Sequence, residues 1–371
     1  MNQTDTWYKI NNIEEFDTPA LVVYPDRIKE NIHQMVTAVG NPDRLRPHVK
    51  TYKMQEVVKM QLEQGINKFK CATISEGEML GMVGASEVLL AYQPVGPKIS
   101  RLLSLVKHFP NTRFSTLVDN IDSAKDIANV FSMAGSSIEV FLDIDVGMHR
   151  TGIAPDENAL ELYAFCSESE GIDPLGLHVY DGHLRDQDYE MRKEKCDLAF
   201  SHAENLQKRI MKQFGSEPLI IAGGSPTFSI HSKRDTIQCS PGTCLLWDWG
   251  YNELLPEQNF KFGALVVCRI ISKIENHLIC ADLGHKSIAA ENPFPRVQFL
   301  NLPDAKPVSQ SEEHLVLDVG NNQHYQVGEV LYGVPIHICP TCALYERAHV
   351  VEGNAITKSW RVIARDRMIT L

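Results

Sequence analysis

Residues 113–118 read Arg113-Phe-Ser-Thr-Leu-Val118, and residues 139–144 read Glu139-Val-Phe-Leu-Asp-Ile144. Each run is short and largely apolar, and each is followed by a polar loop and a segment of helical periodicity. This alternation is typical of parallel strands connected by helices. The same pattern predicts further strands at Leu45–Val49, Phe69–Thr73, Val88–Ala91, Gly176–Tyr180, Leu219–Ala222 and Thr236–Ser240. We therefore expect an α/β fold in which about eight strands close a TIM-type (β/α)8 barrel.

The segments between these strands predict helices that cover the sheet. Thr51–Gln64 carries apolar side chains on one face, Glu76–Val83 follows Ser75 as a possible cap, and Asp186–Phe214 is long and amphipathic. Before the barrel, Phe16–Tyr24 predicts a strand and Pro25 or Asp26 a helix start.

After about Trp247 the sequence changes to alternating strands separated by turns. The predicted strands are Ala264–Ile271, His277–Asp282, Glu313–Val319, Glu329–Pro335 and Ala348–Glu352. This texture indicates an antiparallel β domain. We thus expect a barrel over residues 25–246 and a β domain built from residues 1–24 and 247–371.

The composition limits the classes of function. The chain has 371 residues, of which 43% are hydrophobic and 22% charged, as in a globular protein. With 36 basic and 47 acidic residues its net charge is -11, which disfavours nucleic acid as a partner. The polar start and the absence of an apolar run of about 18 residues predict no membrane association and a cytoplasmic location. The nine scattered cysteines do not form a disulfide framework.

Catalytic residues of a barrel lie at the carboxyl ends of its strands. The first predicted strand leads into Arg46-Pro-His-Val-Lys50-Thr-Tyr-Lys53. A lysine emerging there can be desolvated, which lowers its pKa and frees its amine to form a Schiff base. An isolated lysine is more often a surface residue, so the motif around Lys50 carries the assignment.

Two glycine-containing turns follow the seventh and eighth predicted strands. They read Gly223-Gly224-Ser225 and Pro241-Gly242-Thr243. Glycine lets the backbone approach a phosphate, and Ser225 and Thr243 add hydroxyl donors. Barrels frequently bind phosphate after these two strands. A pair of tight turns without a ligand is the alternative interpretation.

A possible metal site lies near the end of the sequence, in His337-Ile-Cys339. On an extended strand, two residues with one residue between them project from the same face, as ligands of one ion require. Imidazole and thiolate together favour zinc. The alternatives are that both residues are buried strand residues, or that Cys339 and Cys342 form a redox CxxC pair.

The motif around Lys50 resembles the cofactor-lysine motif of the fold-type III pyridoxal-phosphate enzymes, which include D-threonine aldolases, D-serine dehydratases and 3-hydroxyaspartate dehydratases. The resemblance extends over nearly the whole chain. Its further motifs are Asp17-Thr-Pro-Ala20, Asp145-Val-Gly-Met-His-Arg150-Thr-Gly152, the strand end at Tyr180, Gly223-Gly-Ser-Pro-Thr227, Ser240-Pro-Gly-Thr243 and His337-Ile-Cys339.

The resemblance implies a barrel that binds pyridoxal 5'-phosphate through Lys50, a β domain that supplies a metal, and a homodimer. It places Arg150 by the phenolic oxygen of the cofactor and the Tyr180 hydroxyl at the pyridine nitrogen. His183 is a candidate general acid or base, although it can instead order its loop. Aldolases of the family generally have a carboxylate where this chain has Cys339, and use manganese, so the cysteine is closer to the dehydratases.

These expectations favour a metal-dependent lyase acting on D-3-hydroxy amino acids, with the ion on the substrate's β-hydroxyl. Retro-aldol cleavage to glycine and an aldehyde is the first hypothesis. Dehydration of D-serine or 3-hydroxyaspartate to a keto acid and ammonia is the second. An amino-acid racemase has no use for His337 and Cys339, and the non-catalytic cofactor carriers lack the β domain.

Overall fold

The computed structural model describes residues 6–371. Residues 1–5, the beginning of the predicted segment 1–24, lie outside the described residues. Two compact units form. One, the parallel-sheet unit, comprises His33–Lys50, Val57–Gly242 and Asp366–Leu371. The other, the antiparallel-sheet unit, comprises Thr51–Glu56, Thr243–Arg365 and the described residues up to Ile32.

Strands and helices are numbered in chain order. The strands are β1 (Ala20–Val23), β2 (Lys68–Cys71), β3 (Glu87–Leu90), β4 (Arg113–Val118), β5 (Ile138–Ile144), β6 (Ile172–Val179), β7 (Leu219–Ala222), β8 (Ile237–Cys239), β9 (Ala264–Ile274), β10 (Leu278–Ala281), β11 (Val297–Phe299), β12 (Lys306–Gln310), β13 (Leu315–Asp318), β14 (Val330–Pro335), β15 (Arg347–Glu352) and β16 (Ala355–Arg361). The α-helices are α1 (Pro25–Val39), α2 (Gln55–Leu62), α3 (Ile74–Met82), α4 (Pro97–His108), α5 (Ile121–Met133), α6 (Glu157–Glu168), α7 (Tyr189–Phe214), α8 (Phe228–His231), α9 (Trp249–Leu254) and α10 (Ile338–Leu344).

The parallel-sheet unit contains a seven-stranded sheet in the order β2 to β8, in which neighbouring strands are all parallel. Seven of the predicted strands are therefore confirmed, and the one at Leu45–Val49 is wrong. That segment makes isolated parallel bridges from Leu45 to Cys239 and from His48 to Lys70, and so contacts both edge strands. Pro47 lies between the bridges, and because proline has no N–H it interrupts a hydrogen-bonded ladder.

The predicted helices are present with shifted boundaries. α2 begins at Gln55 rather than Thr51, because Val49–Thr51 forms a 3-10 helix and Lys53 adopts a positive φ of 55°. The cap of α3 is Thr73, whose hydroxyl accepts a hydrogen bond from the Glu76 N–H, so the predicted cap at Ser75 is wrong. Ser75 lies inside the helix and is buried.

The antiparallel-sheet unit contains a nine-stranded sheet, mostly antiparallel, in the order β12-β13-β10-β9-β1-β15-β16. β14 pairs with β9, and β11 pairs with β14. All five strands predicted after Trp247 are present, and β11, β12 and β16 were not predicted. The pairing of β1 with β15 is parallel, which an antiparallel meander does not predict. The strands pack around a core that includes Val22, Leu265, Tyr332 and Val351.

Across residues 6–371, no helix combines the length and the hydrophobicity needed to cross a membrane.

Candidate active site

A cavity of about 520 Å³ opens in the parallel-sheet unit. Four of its lining residues, Ala72, Ala91, Asp119 and Tyr180, lie just beyond the carboxyl ends of β2, β3, β4 and β6. This is the end of a parallel sheet where active sites form. The predicted residues Lys50, Arg150 and Tyr180 all line this one cavity.

Lys50 enters the cavity from the 3-10 helix Val49–Thr51. Its side chain is half-buried, and its backbone N–H donates to Nδ1 of His48 at 3.3 Å. Because the segment before it bridges to both β8 and β2, Lys50 is held at the sheet without belonging to a strand.

Arg150 lies on the loop after β5, which is fixed by two carboxylates. Asp145 accepts hydrogen bonds from the backbone and the ring of His149. Asp119 accepts one from the Gly152 N–H at 3.1 Å. The loop is thus tied on both sides of the arginine.

Three basic side chains lie close to the ring of Tyr180. The distances to the ring centroid are 5.9 Å for Lys50 Nζ, 5.6 Å for Lys70 Nζ and 5.0 Å for the Arg150 guanidinium carbon. These distances lie within the range of cation–π attraction. The Tyr180 hydroxyl lies against the backbone of Gly182, where an added Cβ would be 2.2 Å from its oxygen.

A buried polar chain that the sequence analysis did not single out also reaches this cavity. Lys70 Nζ lies 3.4 Å from Nε2 of His178, and Nδ1 of His178 lies 2.7 Å from a carboxylate oxygen of Asp143. The other Asp143 oxygen accepts from the Thr151 hydroxyl at 2.8 Å. A lysine, a histidine and an aspartate within apolar strands were the signal in the sequence, since buried polar groups need partners.

The ionisable groups of this buried polar chain shift one another's pKa values. Burial and the neighbouring charge of Lys50 lower the pKa of Lys70 to about 7. Burial and Lys70 also lower the pKa of His178. Burial alone would raise the pKa of Asp143, but the hydrogen bond from His178 holds that pKa below its ordinary value. Near neutral pH the amine of Lys70 is thus partly neutral, beside the carboxylate of Asp143.

The predicted phosphate loop Gly223–Ser225 is buried and does not line the cavity, but it touches a residue that does. A Cβ at Gly224 would lie 3.0 Å from Cε2 of Tyr180, so the loop packs directly against that ring. The Gly242 N–H donates to the Ser225 hydroxyl at 3.2 Å, which brings the two predicted phosphate-binding turns together. Gly223 has a φ of +74°, a conformation that favours glycine. The glycine-lined loop beside Tyr180 fits a phosphate group.

A buried cluster supports this loop. Asp181 accepts hydrogen bonds from the Thr227 hydroxyl at 2.7 Å and from His231 Nε2 at 2.8 Å, and Cys196 Sγ lies 3.4 Å from the same nitrogen. The three side chains Asp181, Cys196 and His231 have types and distances that could hold a metal. However, among the described residues His231 Nδ1 has no hydrogen-bond partner, whereas metal-bound histidines usually donate their second N–H. The cluster therefore fits a hydrogen-bonded support better than a metal site.

The second predicted site lies in the antiparallel-sheet unit. The expectation that His337 and Cys339 share an extended strand is wrong, because His337 caps α10 and Cys339 lies in its first turn. Pro340 follows, and proline suits the first turn of a helix but cannot donate to a sheet ladder.

The two side chains nevertheless meet. The side chains of His337 and Cys339 are hydrogen-bonded to each other. Burial lowers the pKa of His337, but the contacts with Cys339 and Glu291 outweigh burial and raise that pKa to about 9. Burial would raise the pKa of Cys339, but His337 holds it below the ordinary value. His337 Nδ1 lies 2.5 Å from a carboxylate oxygen of Glu291, and the hydroxyls of Thr51 and Thr243 lie 3.1 and 3.4 Å from Cys339 Sγ.

This donor set fits a divalent metal. A thiol with a lowered pKa is readily deprotonated, as metal binding requires, and a carboxylate behind a histidine orients such ligands. Sequence reasoning did not find Glu291, which lies far from the His337 motif along the chain. Thr243, predicted as a phosphate ligand, contacts the sulfur of Cys339.

The remaining candidate, His183, does not line the cavity and is exposed. A Cβ at Gly147 would lie 3.2 Å from its Nε2, so it contacts the loop that carries Arg150. The position agrees better with ordering of that loop than with proton transfer.

Two family descriptions match consecutive parts of the chain. Residues 23–247 match the family described as alanine racemase, N-terminal domain. Residues 263–351 match the one described as putative serine dehydratase domain.

Whole proteins resemble the chain over nearly its full length. A D-threonine aldolase of Arthrobacter sp is 27% identical over 357 residues, covering 94% of this chain and 93% of that protein. The crystal structure of a D-threonine aldolase from Filomicrobium marinum superposes with a TM-score of 0.87 at 25% identity, covering 94% and 95% of the two chains. The D-threo-3-hydroxyaspartate dehydratase of a Delftia species superposes with a TM-score of 0.82 at 20% identity, covering 93% and 97%. The chain therefore belongs to the alanine racemase-like, fold-type III family of pyridoxal-phosphate enzymes.

Proposed function

We propose that the protein is a pyridoxal-phosphate- and metal-dependent lyase that cleaves D-3-hydroxy amino acids to glycine and an aldehyde. The observation that carries the proposal is the cavity in which Lys50, Arg150 and Tyr180 meet beside the loop at Gly224. A cofactor with an aldehyde, a phenolate and a phosphate needs an amine, a fixed cation and a glycine-lined loop, and these groups are present together.

Each residue has a role in this proposal. Lys50 holds the cofactor covalently, and Arg150 stabilises the phenolate, since a guanidinium stays charged at all relevant pH values. Gly223, Gly224, Ser225 and Gly242 hold the phosphate. When bound, pyridoxal phosphate supplies an electron sink for an amino acid attached to it.

His337 and Cys339 hold the divalent ion in this proposal, with zinc favoured by the thiolate and manganese as the alternative. Such an ion acts as a Lewis acid that withdraws charge from a hydroxyl group. The curated relatives with aldolase names support cleavage of the α-β bond. We further propose that the enzyme is a cytoplasmic homodimer with a (β/α)8-type barrel over residues 25–246 and the remaining residues in the β domain.

The second candidate function is dehydration to a keto acid and ammonia, and the observation that favours it is Cys339. Two solved variants of D-threo-3-hydroxyaspartate dehydratase replace a cysteine and a histidine two positions before it, which is the spacing of His337 and Cys339 here. The cysteine variant is described as a metal-free form. A cysteine two positions after a histidine in both chains supports elimination.

Product analysis separates the two reactions. Purified protein with pyridoxal phosphate and either zinc or manganese is incubated with D-threonine, and with L-threonine as the stereochemical control. Glycine and acetaldehyde from the D-isomer alone support the aldolase, and 2-oxobutanoate and ammonia support the dehydratase. Turnover of neither compound, nor of D-serine or D-3-hydroxyaspartate, would refute the lyase proposal.

A further inference from the structure

The cavity contains a second lysine, Lys70, whose surroundings differ from those of Lys50. Lys70 lies within β2, is 2% exposed, and lines the same cavity. Lys68 on the same strand is half-buried, pairs with Asp43 and does not line the cavity. Residues two apart in a strand project from the same face, but Lys70 lies nearer than Lys68 to the carboxyl end of β2, where the cavity opens.

The hydrogen bonds of His178 determine whether the amine of Lys70 donates or accepts in this contact. Nδ1 of His178 faces the carboxylate of Asp143, so it carries the ring proton in the neutral imidazole, and Nε2 is left as an acceptor. Lys70 then donates one N–H to Nε2. The remaining valences of the amine are available to the cavity.

We propose that Lys70 is a general acid–base residue that removes a proton from, and returns it to, the α-carbon of the cofactor-bound amino acid. This inference rests on the proposed function, because it assumes an amino acid attached where Lys50 holds the cofactor. An amino acid held through its α-nitrogen in place of the Lys50 amine would have its α-carbon one bond further on. The Nζ atoms of Lys50 and Lys70 lie 5.9 and 5.6 Å from the centroid of the same ring, that of Tyr180.

In this proposal a single proton moves between the α-carbon and the amine of Lys70. If the α-β bond is cleaved, the Lys70 ammonium would supply the proton that the α-carbon takes up. If the α-hydrogen is removed, as in dehydration or exchange, the lone pair of the neutral amine would take that proton as the C–H bond breaks, and the bound cofactor would accept the electron pair. The resulting ammonium returns a proton in the reverse step. The charged groups that act on Lys70 are Lys50 and Arg150, which favour the neutral amine, and Asp143 and Asp181, which favour the ammonium. With burial included, the pKa of Lys70 is about 7, a value suited to both steps.

The first readout needs neither cofactor nor turnover. In cofactor-free protein labelled with 13C at the lysine Cε, one resonance should titrate with a midpoint near 7. It should be absent in Lys70→Met and present in the matched control Lys68→Met. If no lysine resonance titrates below about pH 9, or if the resonance survives in Lys70→Met, the inference is overturned.

The second readout is the exchange of the α-hydrogen of D-alanine in D2O, which requires proton transfer but neither cleavage nor dehydration. Lys70→Met should slow the exchange at least about 100-fold, the ordinary contribution of a general base, while Lys68→Met stays within about twofold. Lys70→Arg retains the cation but cannot accept the proton, so it should be equally slow. Wild-type exchange rates in Lys70→Met or Lys70→Arg, or no exchange by the unaltered enzyme, would overturn the inference.

The two proposals fail separately. An enzyme that exchanges the α-hydrogen through Lys70 but forms no lyase product refutes the lyase and supports Lys70. An enzyme that forms lyase products equally well with Lys70→Met refutes the role of Lys70 and supports the lyase.

Discussion

Replacing Gly223 by alanine tests whether the loop beside Tyr180 must be made of glycine. An added Cβ would lie 2.6 Å from Cδ2 of His231 and 2.9 Å from the hydroxyl of Thr227, two residues held by Asp181. The positive φ of +74° adds about 1–2 kcal/mol of backbone strain. Displacing the two buried neighbours costs roughly another 1–3 kcal/mol.

Gly215 is a matched control for the backbone strain that an alanine at positive φ introduces. Its φ is +75°, and a Cβ there would meet nothing within 4 Å. Gly215→Ala should therefore lose only about 1–2 kcal/mol and bind pyridoxal phosphate as before. Gly223→Ala should lose roughly 2–5 kcal/mol in total and bind the cofactor at least about tenfold more weakly, because its backbone donors move.

The measurements are urea unfolding of the cofactor-free proteins and spectroscopic titration with pyridoxal phosphate. Equal stability and equal cofactor affinity of the two variants would refute the reasoning. A loss of stability in Gly223→Ala without a loss of affinity would refute the phosphate assignment alone.

Two further predictions concern the metal ligands and the buried lysine. Cys339→Ala should lower the content of bound zinc or manganese, measured by elemental analysis, while borohydride still traps the cofactor on Lys50. Cys280→Ala is the control for loss of a cysteine. An unchanged metal content in Cys339→Ala would contradict the metal site. The pKa of Lys70 is about 7 in the folded protein, against an ordinary value of 10.5. Between these two pH values the unfolded chain binds more protons than the folded protein, so the free energy of unfolding should rise with pH from about 7 towards 10. Urea midpoints from pH 6.5 to 9.5 should show a smaller rise in Lys70→Met than in the unaltered, cofactor-free protein, and parallel curves would refute the shift.

The periodicity of apolar residues was sufficient to predict most of the parallel sheet. β4 and β7 have the predicted boundaries, because buried parallel strands are short runs rich in apolar residues, and β7 lies between Pro218 and Gly223, which interrupt a strand. Leu45–Val49 looks the same in sequence, but Pro47 limits it to isolated bridges. The short strand β11 and the parallel partner of β1 depend on contacts between distant segments, which local patterns do not contain.

The candidate site was predictable where a motif is continuous in sequence. Arg150 and Tyr180 lie on the segments that follow β5 and β6, Lys50 follows the segment that bridges the two edge strands, and all three line one cavity. Lys70, His178 and Asp143 lie on three different strands. The register of β5 and β6 pairs Asp143 with His178, and the folding of the whole sheet brings Lys70 of β2 to them. For His337 and Cys339 the pairing was foreseen for the wrong reason, since a helix cap rather than a strand brings the side chains together.

The identity of the cofactor lysine tests the central claim most directly, because Lys50 and Lys70 line the same cavity. The holoenzyme is reduced with borohydride and digested, and the modified peptide is sequenced by mass spectrometry. We predict a single pyridoxyl group on Lys50, lost in Lys50→Ala and retained in Lys70→Met. A pyridoxyl group on Lys70 or on another lysine, or a protein that binds none, would contradict the account.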